Sequence, residues 1–477
     1  MKLTKNNLDL MKKVFEIKPC VVLRAKYSQA CTPEFFKFYD ENINVGDHKV
    51  LDVEDYGRFI STRSSRREPA ITRVITSLAY KVDKKMISLA EGMPNEGVFP
   101  FKKLSMDMKK GGGIMMEGKE LAAALQYVPS QGLPSLLTEL RKFQEDIHRP
   151  PDVPRDLMIT NGGQHGIYQC AELLLEPGDP IVTTEYAYTG LHSTLKPYQP
   201  EILGVPEDND GLIPETLECI LEDRLSRGLK MPKMMYLIPT GSNPTGTVIP
   251  VERRMKIYAL ACKYDFIIVE DDPYMFLNYS GRPIASFLSM DKAGRVIRLD
   301  SVSKVVSAGL RGGWVTAPSP LLERLQLHSQ AELLHPCTLS QAILLKLVQC
   351  RETLGSYLKS ARDLYWSRRD ALHSALQPLE GLADWAVPDA GLFFWLRVRD
   401  VDDVYSMIHT AFERGLMLVP GQAFIYDSNA SCQYIRLTFS KIRLEDMSTA
   451  SQILSEVIRD EQKKCLEKEP KRYATES

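Results

Sequence analysis

From about Lys85 onward, short apolar runs alternate with longer amphipathic stretches, and this rhythm constrains the chain more than any other feature. Leu157 to Thr160, Pro180 to Thr183, Met234 to Ile238, Phe266 to Val269, Val296 to Leu299 and Trp314 to Ala317 read as buried strands. Between them lie helical patterns such as Val251 to Lys263, with its charges on one face. Strand, helix and strand repeated in this way imply an α/β fold, a mostly parallel central sheet with flanking helices. In such sheets ligands sit at the carboxyl ends of the strands, in the loops that follow. A second pattern follows. Gly391 to Val398 reads as a strand, Val401 to Arg414 as a helix and Tyr434 to Phe439 as a strand, which implies a smaller α+β domain. The expected division is an N-terminal extension over residues 1–54 and an arm with part of the small domain over 55–110. A large ligand-binding domain over 111–350 and a small domain with a tail over 351–477 complete it. The tail after Glu461 is charged and reads as frayed. Gly111 to Gly113 reads as a short flexible loop.

Composition narrows the function classes. The 477 residues carry a formal net charge of −1, with 44% hydrophobic and 25% charged residues. That balance offers no electrostatic case for nucleic acid or a membrane surface, and no apolar run is long enough to cross a bilayer. Nine cysteines are scattered without a Cys-x-x-Cys pair, so no metal site is expected and free thiols are. The start is basic: Lys2, Lys5, Lys12, Lys13, Lys18, Arg24 and Lys26 outweigh Asp9 and Glu16. It fits either a mitochondrial transit segment or a surface helix, so the expected location is cytoplasmic or mitochondrial.

The chemistry gathers after the apolar runs. Lys304, in Ser301-Val302-Ser303-Lys304, follows a strand that ends near Asp300. A lysine desolvated there has a lowered pKa and becomes a nucleophile for a carbonyl carbon. Ser301, Ser303 and Arg311 offer hydroxyls and a planar fork to a phosphate. Asn161-Gly162-Gly163-Gln164-His165-Gly166 opens a helical pattern, where free N–H groups suit an anion. Asp271, in Glu270-Asp271-Asp272-Pro273-Tyr274, can keep a pyridine nitrogen protonated. Tyr274, and Asn243 of Asn243-Pro244-Thr245-Gly246, can reach a phenolic oxygen on the same ring. Each run alone is usually a turn or loop. Their order along the chain is the signal: Asn-Pro-Thr-Gly, Asp-Asp-Pro-Tyr, Ser-x-Ser-Lys, Gly-Leu-Arg-x-Gly-Trp, then Tyr-x-Arg.

That order resembles the fold-type I, class I pyridoxal-phosphate-dependent aminotransferases, from about Tyr56 to near Ile458. Within them the chain looks most like the α-aminoadipate and kynurenine aminotransferase branch. Met86-Ile87-Ser88-Leu89-Ala90, Ala124-Leu125-Gln126-Tyr127, Tyr264-Asp265-Phe266, Gly294-Arg295-Val296-Ile297-Arg298 and Leu334-His335-Pro336 carry the closer likeness. The resemblance implies pyridoxal 5'-phosphate held as a Schiff base on Lys304, with Asp271 at the ring nitrogen. It implies Asn243 and Tyr274 at the ring oxygen, Tyr188 stacked on the ring, and Gly163, Gln164, Ser301, Ser303 and Arg311 around the phosphate. Arg436 would bind the substrate carboxylate. Arg73, Gly92, Tyr127 and Phe393 would lie on the substrate side, with Tyr127 reaching a partner subunit's phosphate, so a homodimer is implied. The substrates implied are an α-amino acid (aminoadipate, kynurenine or an aromatic one) and a 2-oxo acid such as 2-oxoglutarate. Two departures stand out: Gly163 where a hydroxyl residue is common, and Glu91 before Gly92 where a second glycine is common. Two other readings stay open: a β-lyase or synthase on the same fold, and a non-catalytic cofactor-binding regulator.

Overall fold

The computed structural model describes residues 37–72, 89, 92–109, 112–281, 284–427 and 429–473. Arg73 and Glu91, and the N-terminal segment through residue 36, lie outside the described residues. The six strands expected from the apolar runs all form, and all join one seven-stranded sheet. Across it the order is Arg155–Asn161, Gly312–Pro318, Val296–Ser301, Ile267–Asp271, Met234–Leu237, Pro180–Thr184 and Glu201–Val205. Glu201–Val205, an edge strand that the apolar runs did not announce, pairs parallel with Pro180–Thr184. It was illegible because its apolar run is broken: Leu203 and Val205 are buried and Ile202 is half-buried, while Glu201 and Gly204 are exposed.

Alternate side chains of the inner strands enter different apolar clusters. Met234, Tyr236, Ile267, Val269, Ile297 and Leu299 pack on one face. Met235, Leu237, Phe266, Ile268 and Val296 pack on the other. A sheet covered on both faces needs continuous apolar runs, which explains why the strands lack a polar alternation. Gly312–Pro318 is the one strand of this sheet that runs against its neighbours, pairing antiparallel with Val296–Ser301 and Arg155–Asn161. It therefore starts where they end. Gly313 lies opposite both Ser301 and Thr160, so Arg311 arrives at the carboxyl edge beside Asn161.

A four-stranded antiparallel sheet follows, in the order Ala383–Trp385, Phe393–Val398, Tyr434–Thr438 and Val419–Pro420. The expected helix between its strands begins later than Val401, at Tyr405, where the Asp403 carboxylate accepts from the Tyr405 N–H at 2.8 Å in a local turn. The tail is not frayed after Glu461. A helix spans Met447–Tyr473, anchored by buried Leu454, Val457 and Ile458 and continued by pairs such as Lys464 with Glu461. Of the expected glycine loop, Gly113 instead begins a strand, Gly113–Glu117, paired with Lys103–Asp107; Gly111 lies outside the described residues.

One cluster of charge is buried under this sheet. Arg298 lies directly opposite Glu270 in the register. Its guanidinium stands 3.0 Å from Glu270, 3.4 Å from Asp272 and 3.0 Å from Asp300, and all four side chains are buried. Burial pushes the Asp272 carboxyl up to about 7 and raises Asp300, while the cation opposes both shifts. Removing one member of such a group strands the others in a dry interior, at a cost of about 3–5 kcal/mol. Arg298→Met should lower stability by roughly that amount, read as the drop in the urea denaturation midpoint. An unchanged midpoint would show that the carboxylates do not depend on it.

Candidate active site

The carboxyl edge of the sheet assembles most of the expected residues. Asp271 ends its strand and is buried. Burial pushes its carboxyl up to about 6; a hydrogen bond from Tyr236 and the fields of Arg298 and Lys304 oppose that, and the field of Asp300 adds to it. Lys304 follows the neighbouring strand in a tight turn, in which Val302 O accepts from Val306 N at 2.9 Å. Burial lowers its amine from the usual lysine range. The carboxylate of Asp271 opposes that shift, and the guanidinium groups of Arg311 and Arg436 add to it. One amine thus stands in the fields of one anion and two cations.

The anion side is built from three elements. Helix Gly163–Leu174 starts at Gly162 with no side-chain cap, so its first N–H groups are left to other acceptors. Arg311, itself at a positive φ of 51°, reaches across, and its Nη2 donates to Asn161 O at 3.3 Å. Ser301 Oγ donates to Ser303 Oγ at 3.0 Å, with Arg311 Nη1 at 3.5 Å from the latter. Gly162 is required here. Its φ is 78°, and a Cβ would lie 2.4 Å from Arg311 Nη2. The side-chain amide of Gln164 donates to Gly190 O at 3.0 Å and Thr194 Oγ1 at 3.1 Å, bracing the loop, while its backbone N–H belongs to the uncapped first turn. That brace holds Gly190 close to Tyr188, which is half-buried and within the field of Asp271.

The second guanidinium comes from the smaller sheet. Gly241 and Gly391 touch, since a Cβ on Gly241 would meet Gly391 N at 2.4 Å. This approach brings the Asn243 loop against the small sheet, and Arg436 Nη1 donates to Asn243 Oδ1 at 2.8 Å. Phe393 and Phe424 flank the same guanidinium, at 4.3 and 4.9 Å from their ring centroids. Arg436 Nε is buried without a hydrogen-bond partner, so the group retains unused donor capacity. Tyr274 is buried, edge-on to Phe393. Two expected residues stand apart. Gly92 is exposed, with nothing within 4 Å of a Cβ placed on it. Tyr127 is 49% exposed, edge-on to His335.

Two residues of the site were not foreseen. Tyr236, inside an apolar run, donates to Asp271 Oδ2 at 2.6 Å. Phe424 sits in the short turn Gly421–Phe424, and its carbonyl accepts from Ala187 N at 2.9 Å. Local pattern marks neither, since one looks like core and the other like loop.

An amine, a buried carboxylate and an anion cup at the carboxyl edge of a mainly parallel sheet define a fold-type I pyridoxal-phosphate enzyme. Residues 84–454 match the family of aminotransferase class I and II, and the chain belongs to that family. It is 40% identical over 422 residues to the mitochondrial kynurenine/alpha-aminoadipate aminotransferase of Mus musculus, covering 85% of this chain and 99% of that one. Among solved structures, the aminotransferase Aro8 of Candida albicans superposes with a TM-score of 0.77 at 26% identity, covering 87% of this chain and all of that one. The Pyrococcus horikoshii kynurenine aminotransferase, in complex with PMP and with KYN and KYA, superposes at 0.69 with 29% identity, covering 86% and 99%. The protein is a pyridoxal-phosphate-dependent aminotransferase acting on an amino acid and an oxo acid. These relatives favour amino-group transfer over a lyase, a synthase or a silent regulator. No described helix is long and apolar enough to cross a membrane.

The donor set suits the cofactor: N–H groups, hydroxyls and Arg311 for a phosphate, Asp271 for a ring nitrogen and the Lys304 amine for a carbonyl. Gly162→Ala should weaken binding of pyridoxal phosphate to the apo-protein by about tenfold or more, because φ near 78° costs an alanine about 1–3 kcal/mol and its Cβ displaces Arg311. Fluorescence titration reads this directly, and equal affinity would place the phosphate elsewhere.

Proposed function

We propose that Lys304 carries the cofactor and the proton in a transfer from aminoadipate, kynurenine or aromatic amino acids to a 2-oxo acid such as 2-oxoglutarate. One observation carries the site assignment: the desolvated Lys304 amine lies in the combined fields of Asp271, Arg311 and Arg436. Bound pyridoxal phosphate supplies a carbonyl that captures the amino group and a ring that accepts the electron pair left at the α-carbon. Lys304 Nζ, its pKa lowered by burial and by the fields of Arg311 and Arg436, takes the substrate Cα proton and later returns one. Arg436 holds the substrate carboxylate, its fork already oriented by Asn243 and its flanking rings. Asp271 keeps the ring nitrogen protonated, and Tyr274 and Asn243 hold the ring oxygen. Tyr188 covers the ring, while Gly163, Ser301, Ser303 and Arg311 take the phosphate. Gln164 acts as the loop's brace. Gly92 and Arg73 complete the substrate side, Arg73 offering a cation to an acidic side chain, and Phe393 offers apolar surface to a ring.

Support for the donors comes from the relatives' names together with the pairing of cation and aromatic surface. A donor screen against 2-oxoglutarate, followed by the cofactor's absorbance, should show aminoadipate and kynurenine turned over. Borohydride reduction with peptide mapping should label Lys304, and Lys304→Ala should lose all turnover. A label on another lysine, or a screen in which neither donor reacts, would sink this reading.

We also propose that the active form is a homodimer. Tyr127 is half exposed, and Val98, Phe101 and Met115 are exposed too, apolar surface of the kind a second copy covers. Sedimentation should give twice the chain mass. Mixing Lys304→Ala with a Tyr127→Phe chain should yield activity unlike either parent, and a fully active monomer at high dilution would refute the dimer.

A further inference from the structure

Side chains at the carboxyl edge are sorted by strand alternation, and this gives Tyr236 an unexpected place. Tyr236 pairs in register with Val269, two residues before Asp271. Val269 and Asp271 point to the same side, so Tyr236 and Asp271 are diagonal neighbours on one face. The hydroxyl of Tyr236 donates to Asp271 Oδ2 at 2.6 Å. Asp271 Oδ1 is turned the other way, 3.7 Å from the point where a Cβ on Gly163 would lie, and so faces the phosphate loop. Both residues are buried.

The consequences are physical. A carboxylate buried without a donor takes up a proton rather than remain charged. Burial pushes Asp271 toward that neutral form, and the Tyr236 hydrogen bond is the strongest of the influences opposing it. The other groups whose fields reach Asp271 are Asp300, Arg298 and Lys304. Asp300 and Arg298 belong to the opposite face and are engaged with each other at 3.0 Å. Lys304 is committed to the cofactor in the reading above. Burial and the neighbouring charge hold the phenol of Tyr236 well above its ordinary range, so it remains a donor.

We propose that Tyr236 is a positioning residue that fixes Asp271 as an ionised carboxylate with Oδ1 presented to the cofactor's ring nitrogen. This rests on the assignment of Asp271 to that nitrogen. In this role the phenol acts through the carboxylate it orients. Tyr236→Phe keeps the ring in the core and removes only the donor, leaving Oδ2 without its partner and the carboxyl free to turn or protonate.

The test compares two ligands of the apo-protein. One is pyridoxal phosphate. The other is its 1-deaza analogue, with carbon in place of the ring nitrogen and no N–H to offer. Affinities come from quenching of tryptophan fluorescence, with urea midpoints recorded for each variant. Wild-type protein should prefer pyridoxal phosphate, and Tyr236→Phe should reduce that preference about tenfold, leaving the analogue's affinity unchanged. Asp271→Asn should remove the preference as well. If Tyr236→Phe weakens both ligands equally, or leaves the preference intact while Asp271→Asn abolishes it, the tyrosine is only a packing residue and the inference falls. If Asp271→Asn itself keeps the preference, the assignment of Asp271 is wrong, and the inference falls with its premise.

Discussion

A sheet covered on both faces leaves no water for the acids at the end of its strand Ile267–Asp271, and much of the site follows from that constraint. Glu270, Asp271 and Asp272 are consecutive, and all three are buried. Alternation sends Glu270 and Asp272 to one face, where Arg298 neutralises them together with Asp300. It sends Asp271 to the other, where a tyrosine hydroxyl meets it. One carboxylate is thereby left with an oxygen to offer.

The same edge explains why the cup and the amine converge. Parallel strands deliver Asn161, Asp271 and Ser301 to one end of the sheet. The single antiparallel strand begins there, so Arg311 reaches the same place from the opposite chain direction. The small sheet contributes Arg436 through the contact of Gly241 with Gly391. Each group is held by something other than a ligand: Arg436 by Asn243 and two rings, Gln164 by the following helix, Arg311 by the Asn161 carbonyl. Such preorganisation places polar groups before substrate arrives and spares their ordering at the moment of reaction.

Motif order pointed to Lys304, Asp271, Asn243, Arg311 and Arg436 as site candidates, because each run alone is an ordinary turn or loop and only their succession along the chain is specific. The strands were legible because a run buried on both faces is apolar throughout. Glu201–Val205 was not, since an edge strand with Gly204 exposed looks like a loop. The length of the helix Met447–Tyr473 was misjudged because helix-to-core packing depends on neighbours distant in sequence.

By itself, then, the sequence determined the layered α/β architecture and the family and pointed to the candidate reacting groups, since these are carried by periodicity and motif order. Tertiary structure alone decided the partners. Register made Tyr236 the donor to Asp271 and made Arg298 the counter-ion of three carboxylates on the other face. Packing turned the Gln164 side-chain amide to Gly190 and closed Phe393 and Phe424 on Arg436. Hydrogen bonds and ring contacts depend on distance and direction between strands dozens of residues apart, and no stretch of chain contains that information.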